Sequence, residues 1–86
     1  MEVEYILYTK ESCPWCVRAV NALTLKGKHF KNIPMDQNIK ILEDIKDAYN
    51  WRTVPMVFHR VGDSDYTLVG GYTDLQKHLE SSNEQK

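Results

Sequence analysis

The two cysteines of this chain stand two residues apart, at Cys13 and Cys16, with Pro14 and Trp15 between them. A dithiol at this spacing suits thiol–disulfide exchange: one thiolate attacks a disulfide sulfur, and a second thiol resolves the mixed disulfide. The attacking sulfur must be ionised. A helix start favours that state, because its unpaired N–H groups and the positive end of the helix dipole attract negative charge. Pro14 suits the first helical position, where a missing N–H costs nothing, so Cys13 falls just ahead of the first turn. Lys10 and Arg18 add positive potential nearby. Cys13 is therefore expected as the nucleophile and Cys16, one turn into the helix, as the resolving thiol. A bridge between them closes too short a loop to staple a fold, so chemistry is the better reason for the pair. Such a pair can also be half of a zinc site. No second pair exists, and His29, His59 and His78 would have to converge on it, so no metal site is expected.

Two further segments carry candidate binding residues. Thr53-Val54-Pro55 offers an X–Pro bond which, if cis, makes a sharp turn and leaves the Val54 backbone free to pair with an extended peptide. The bland alternative is an ordinary loop proline. Gly70-Gly71-Tyr72-Thr73-Asp74 combines glycines that admit close backbone approach with a helix start that presents N–H groups to a carboxylate. Asp74 is placed to hold an amine there. The alternative is a plain strand-to-helix turn with a good cap.

The elements that must position these groups follow from periodicity. Val3–Tyr8 reads as a buried central strand and Thr9–Ser12 as a turn. A helix then opens at the cysteines, with Val17, Val20 and Leu23 as its apolar stripe and Gly27 as its stop. His29–Met35 reads as a strand, and Pro34 puts it at an edge. Asp36, Gln37 and Asn38 offer caps for a second helix, with Ile41, Leu42, Ile45, Ala48 and Tyr49 on its apolar face and Asn50 at its end. Met56–Val61 and Tyr66–Val69 form a hairpin around Gly62-Asp63-Ser64-Asp65. Thr73 and Gln76 match a capping box for a last helix that buries Leu75 and Leu79. Ser81–Lys86 is polar and expected to fray. The order β-α-β-α-β-β-α predicts an α/β fold: a four-stranded mixed sheet flanked by three helices. A right-handed β-α-β unit comes first, and the ligand site lies where the first strand feeds the first helix.

At 86 residues the chain is expected to be a single domain over 1–86. Lys and Arg total 11 and Asp and Glu 12, for a net charge of −1. That balance argues against bulk attraction to nucleic acid or an anionic membrane. No run of about 20 apolar residues offers a membrane span. The acidic start, Met1-Glu2-Val3-Glu4, lacks the basic region of a secretory signal. A cytoplasmic monomer is expected.

Taken in order, Lys10, Cys13-Pro14-Trp15-Cys16 with Val17-Arg18-Ala19, Thr53-Val54-Pro55 and Gly70-Gly71-Tyr72-Thr73-Asp74-Leu75 resemble the glutaredoxins, specifically the short dithiol class of the thioredoxin superfamily. The resemblance covers nearly the whole chain. It implies a thioredoxin-like fold and a glutathione-dependent thiol–disulfide oxidoreductase, with glutathione as reductant and no permanently bound cofactor. It further implies that Cys13 forms the mixed disulfide with glutathione, and that Val54, beside a cis-Pro55, pairs with the cysteinyl backbone. Gly71, Tyr72, Thr73 and Asp74 would hold the γ-glutamyl end. Lys10 would meet the glycyl carboxylate, with Arg52 or Thr53 assisting. Trp15 stands where the family usually has Tyr and would shield the site. Partners implied are disulfide-containing or glutathionylated proteins, with ribonucleotide reductase as a family analogy. Two other functions stay open at this point: a thioredoxin-like redoxin charged by a flavin-dependent reductase, and a glutathione-assisted iron–sulfur carrier. The chain departs from the pattern at Ile41-Leu42-Glu43, where many members have a Gln, and at Asn50-Trp51-Arg52, which lacks a common glycine. Trp51 there either packs locally or borders the site, and packing is the expected role.

Overall fold

The computed structural model describes the backbone of residues 3–84 and the side chains of residues 3–80. Its elements are β1 (Tyr5–Thr9), α1 (Pro14–Leu25), β2 (Phe30–Pro34), α2 (Ile39–Ala48), β3 (Met56–His59), β4 (Thr67–Gly70) and α3 (Tyr72–Glu84). The strands form one mixed sheet in the order β2-β1-β3-β4. β1 runs parallel to β2 and antiparallel to β3, and β3 runs antiparallel to β4. The fold class read from the sequence is the one observed, with β2 at an edge, as Pro34 required.

Period-two alternation along the central strands sorts the core into two layers. Tyr5 and Leu7 of β1 and Val57 of β3 face Ala19 and Leu23 of α1 and Leu75 and Leu79 of α3. Ile6 and Tyr8 point the other way, towards Met35, Leu42, Met56 and Phe58. Thus α1 and α3 cover one face of the sheet and α2 the other. Both faces of β1 are covered, which is why its sequence is apolar almost throughout.

Several local expectations are corrected. In α1 the buried line is Cys16, Ala19 and Leu23, while Val17 is 53% exposed. The cysteine takes the inward slot of the first turn, and helical spacing from there selects 19 and 23 and turns 17 outward. In α2 only Leu42 is buried. Ile41 is exposed, and Tyr49 stays partly open while laying its ring on Phe58 at 5.0 Å. A helix lying alone on one sheet face buries only a narrow stripe. β1 begins at Tyr5 rather than Val3, and β3 ends at His59 rather than Val61. α3 runs on to Glu84, past the point where fraying was expected, and residues 85 and 86 lie outside the described residues.

The helix ends follow their residues. Gly27 adopts φ +66°, the left-handed turn in which the Lys28 N–H reaches the Leu23 carbonyl at 3.0 Å and the Gly27 N–H reaches that of Thr24 at 3.1 Å. Asn50, at φ +54°, closes α2 by the same pattern, with the Trp51 N–H on the Lys46 carbonyl at 2.8 Å. At β4, pairing steps from Phe58↔Leu68 to Val57↔Gly70. Val69 is therefore an extra residue in the ladder, and this bulge delivers Gly70 and Gly71 to the end of the sheet that carries the cysteines.

Candidate functional site

Cys13 is the N-cap of α1, with φ −109° and ψ 109°, and Pro14 takes the first helical position. Because the cap sits just before the turn, its sulfur faces the free amides of the helix. The Cys16 N–H points at Cys13 Sγ from 3.1 Å. The Cys13 thiol also lies 3.8 Å from the Val54 carbonyl oxygen. Cys16 is 3% exposed. Burial first, then its hydrogen bond with Cys13, pushes the Cys16 thiol up to about 12, so it stays protonated at neutral pH. The two free thiols therefore divide by environment: one half-buried at a helix start, the other closed in beneath it.

A groove of about 360 Å³ opens beside Cys13, lined by Trp15, Trp51, Thr53, Val54, Pro55, Gly71, Tyr72, Thr73 and Asp74. The Val54–Pro55 bond is cis. Trp15 reaches from α1 to Tyr72 of α3, with ring centroids 5.8 Å apart, and the Arg18 guanidinium covers its ring at 4.5 Å. This aromatic pair joins the cysteine helix to α3 along one wall.

The start of α3 differs from the expected capping box. Thr73 is the second helical residue, and the cap is Gly71, whose carbonyl accepts the first helical bond from the Leu75 N–H at 2.9 Å. Asp74, three residues after the cap, reaches back and accepts the Gly71 N–H at 3.1 Å. That is the returning half of a capping box with Asp in place of Glu. Gly70 adopts φ +129°, and a side chain there would run into the Asp74 side chain. Glycine is required on both counts.

Of the residues singled out from sequence, Trp15, Thr53, Val54, Pro55, Gly71, Tyr72, Thr73 and Asp74 share this groove. Arg52 is exposed beside it. Lys10 lines a different cleft, between α1 and β2, together with Cys16. Trp51 packs against the α2-side core and also lines the groove, so it takes both of the roles read for it from the sequence. The histidines do not converge on the cysteines; His59 and His78 meet edge to face, with ring centroids 4.6 Å apart. Among the described residues, no three His, Cys, Asp or Glu side chains are grouped to hold a metal ion. No helix among them is long and apolar enough to cross a membrane.

The family model described as Glutaredoxin matches residues 5–63, a span that contains both cysteines and Pro55. Glutaredoxin 3 of Escherichia coli (strain K12) is 38% identical over 69 residues, covering 80% of this chain and 77% of that protein. The chain belongs to the glutaredoxin family. It is a thiol–disulfide oxidoreductase of that family, and Cys13 and Cys16 are its two cysteines. Among solved structures, the glutaredoxin of Brucella melitensis superposes with a TM-score of 0.73 at 28% identity, over 96% of this chain and 85% of that one. A buckwheat glutaredoxin–glutathione complex superposes with a TM-score of 0.73 at 23% identity, over 91% and 70% of the two chains. An Escherichia coli glutaredoxin-like protein, NrdH-redoxin, with a thioredoxin-like activity profile, reaches 0.65 at 23%, over 87% and 91%. These last two likenesses show the glutaredoxin fold. The groove wall from Gly71 to Asp74 lies beyond the span that the family model matches.

Proposed function

We propose that this glutaredoxin is a glutathione-dependent dithiol oxidoreductase that reduces glutathione mixed disulfides through Cys13 and protein disulfides through Cys13 and Cys16 together. The observation that carries the reading is adjacency. The Cys13 sulfur sits 3.8 Å from the Val54 carbonyl, and Val54 lines a groove bounded on another side by the start of α3. A tripeptide joined to Cys13 would lay its cysteinyl backbone along Val54 as an added strand. Its γ-glutamyl carboxylate would meet the amides at Tyr72 and Thr73, where a helix start favours an anion. The Asp74 carboxylate, engaged with Gly71 through one oxygen, would offer the other to the ammonium. Arg52, exposed between the groove residues Trp51 and Thr53 in the chain, and Lys10, which also lines another cleft, are the two candidates for the glycyl carboxylate.

In the reaction, the Cys13 thiolate attacks the substrate disulfide and its leaving thiol departs. Glutathione then attacks the sulfur bound to Cys13, forming a disulfide with it and releasing Cys13 as the thiolate, or Cys16 attacks Cys13 Sγ, closing the intramolecular disulfide and releasing the bound thiol. The helix-start amides hold negative charge on Cys13 both as nucleophile and as leaving group. The reductant and the reducing poise this cycle needs are those of the cytoplasm.

The test is a turnover assay coupled to glutathione, run beside one coupled to thioredoxin reductase on the same disulfide substrate. Glutathione-dependent turnover is expected to dominate. Equal activity without glutathione would favour the redoxin reading instead. Cys16→Ser should keep deglutathionylation and lose most protein-disulfide reduction, whereas Cys13→Ser should lose both. A Cys13→Ser protein with substantial turnover would sink the assignment.

A further inference from the structure

A second cleft, of about 210 Å³, reaches Cys16 from between α1 and β2 and shares no lining residue with the groove beside Cys13. Its walls include Thr9, Lys10, Glu11, Val20 and Asn32. We propose that this cleft is the proton exit for the resolving step, with the Asp36 carboxylate as the acceptor at its mouth. The inference rests on the reading of Cys16 as the resolving thiol.

The need for such an exit comes from the geometry of the mixed disulfide. When Cys13 carries a substrate, that substrate occupies the groove, so water cannot approach from there. Cys16 is buried and holds its proton at neutral pH, yet it must lose that proton to attack. The second cleft is large enough for several water molecules, each of which takes roughly 30 Å³ in the liquid. One polar group of its wall is the Thr9 hydroxyl. Thr9 is buried and donates to Asn32 Oδ1 at 2.6 Å, which fixes the hydroxyl as an acceptor for water beside Cys16. Towards the surface, the Glu11 N–H donates to the Asp36 carboxylate, at 3.1 Å to one oxygen and 3.4 Å to the other. That contact seats the carboxylate against a residue of the cleft wall. The charged and titratable groups around Cys16 are Cys13 on its own helix, Asp36 after β2, and Lys10 and Glu11 in the turn after β1.

The step balances as follows. The Cys16 S–H proton passes through cleft water to Asp36. The Cys16 sulfur forms a bond to Cys13 Sγ, and the bond from Cys13 to the substrate sulfur breaks. The substrate sulfur leaves with that electron pair and takes a proton from solvent, and Asp36 returns its own proton to solvent. The dithiol is oxidised and the substrate sulfur is reduced.

The experiment is a single turnover of the full chain with a glutathionylated peptide. Acid-quenched mass spectrometry follows formation of the Cys13 mixed disulfide and its conversion to the internal disulfide. Asp36→Asn, which can still accept from the Glu11 N–H, is expected to slow conversion relative to formation by at least about tenfold at pH 7, short of what a well-placed proton acceptor can contribute. Its rate should then climb more steeply with pH than that of the unaltered protein, as hydroxide replaces the lost acceptor. Asp36→Glu should restore much of the rate, and Thr9→Val, which keeps the side-chain shape and removes the hydroxyl, should also slow conversion. Conversion that is unchanged or faster in Asp36→Asn overturns the proposal, because loss of the negative charge alone would ease ionisation of Cys16. Cys16→Ser is the separate control: if its mixed disulfide decays as fast as that of the unaltered protein, the resolving role of Cys16 fails, whatever the Asp36 result.

Discussion

Replacing Gly70 by Ala tests the logic of the α3 wall in two independent ways. The backbone at Gly70 has φ +129°, a region that costs a residue with a Cβ about 1–3 kcal/mol. The new methyl would also displace the Asp74 side chain and break its hydrogen bond to the Gly71 N–H. Loss of a helix cap costs about 1 kcal/mol. Together these predict a loss of about 2–4 kcal/mol, a large share of the roughly 5–15 kcal/mol that holds a small domain folded. The two contributions separate in a double-mutant cycle. Asp74→Ala alone should cost about 1 kcal/mol. In that background the cap is already gone and only the Cβ of residue 74 stays close to the new methyl, at 2.8 Å, so Gly70→Ala should cost the backbone share and that remaining contact but not the cap. The coupling is then about 1 kcal/mol, read from urea unfolding followed by Trp15 and Trp51 fluorescence. Full additivity of the two substitutions, or a Gly70→Ala cost below about 0.5 kcal/mol, lower than the strain of any such backbone, would refute the account of the wall. The same variants should raise the KM for a glutathione mixed disulfide, since Asp74 is the proposed ammonium contact.

Two other outcomes follow from the titrating groups. At pH 7, iodoacetamide should modify Cys13 and spare Cys16, because burial pushes the Cys16 thiol up to about 12. Peptide mapping that finds both labelled at equal rates in the folded protein would contradict the burial argument. Stability should fall at high pH. Burial, with Glu4 adding to it, pushes Tyr5 from 10.0 up to about 12, and Cys16 rises from 9.0 to about the same value. Both groups have folded values above their unfolded ones, so their stabilisation is complete below about pH 9 and is lost as pH rises towards 12. Tyr5→Phe should flatten the decline between pH 10 and 12 in denaturant titrations, and an unchanged slope would count against the assignment.

Much of the fold was legible because local signals and global needs agreed. Pro14, Gly27 and Asn50 each mark a helix boundary by a backbone constraint that holds in any context. The unbroken apolar run from Tyr5 to Tyr8 describes a strand covered on both faces, and that is where β1 lies. The misreadings share a different cause. Val17 reads as part of the inward stripe because it is apolar and correctly spaced from Val20. The inward position belongs to Cys16, whose burial is dictated by the site. Thr73 reads as a cap because hydroxyls serve that role well, but the chain caps α3 at Gly71 through Asp74. Its choice reflects the tight approach of Gly70, which only the tertiary arrangement reveals. Ile41 and Ala48 read as core because nothing in a sequence states how wide a stripe the opposing sheet can cover.

At the site, the cysteine pair announced its own chemistry, whereas the groove needed assembly. Its walls come from three stretches of chain, and the β4 bulge that aims one of them is invisible to pattern. The separation of Lys10 from the groove was likewise hidden. Being next to the cysteines in sequence does not fix which side of α1 a turn residue faces.

The direction of β3 has a practical consequence for building with this protein. The strand starts at Met56, just after the groove residue Pro55, and runs away from it to His59. At about 3.4 Å per residue, the turn that follows begins more than about 10 Å from the chemistry. That turn is exposed from Val61 to Asp65 and is tied by short-range bonds from Ser64 to the Val61 carbonyl. It is a connection suited to carry cargo. A fluorescent reporter, an affinity handle or a second module spliced between Gly62 and Asp65 would hang from the end of the molecule opposite its thiols. The fusion would leave the face that meets disulfides free to work.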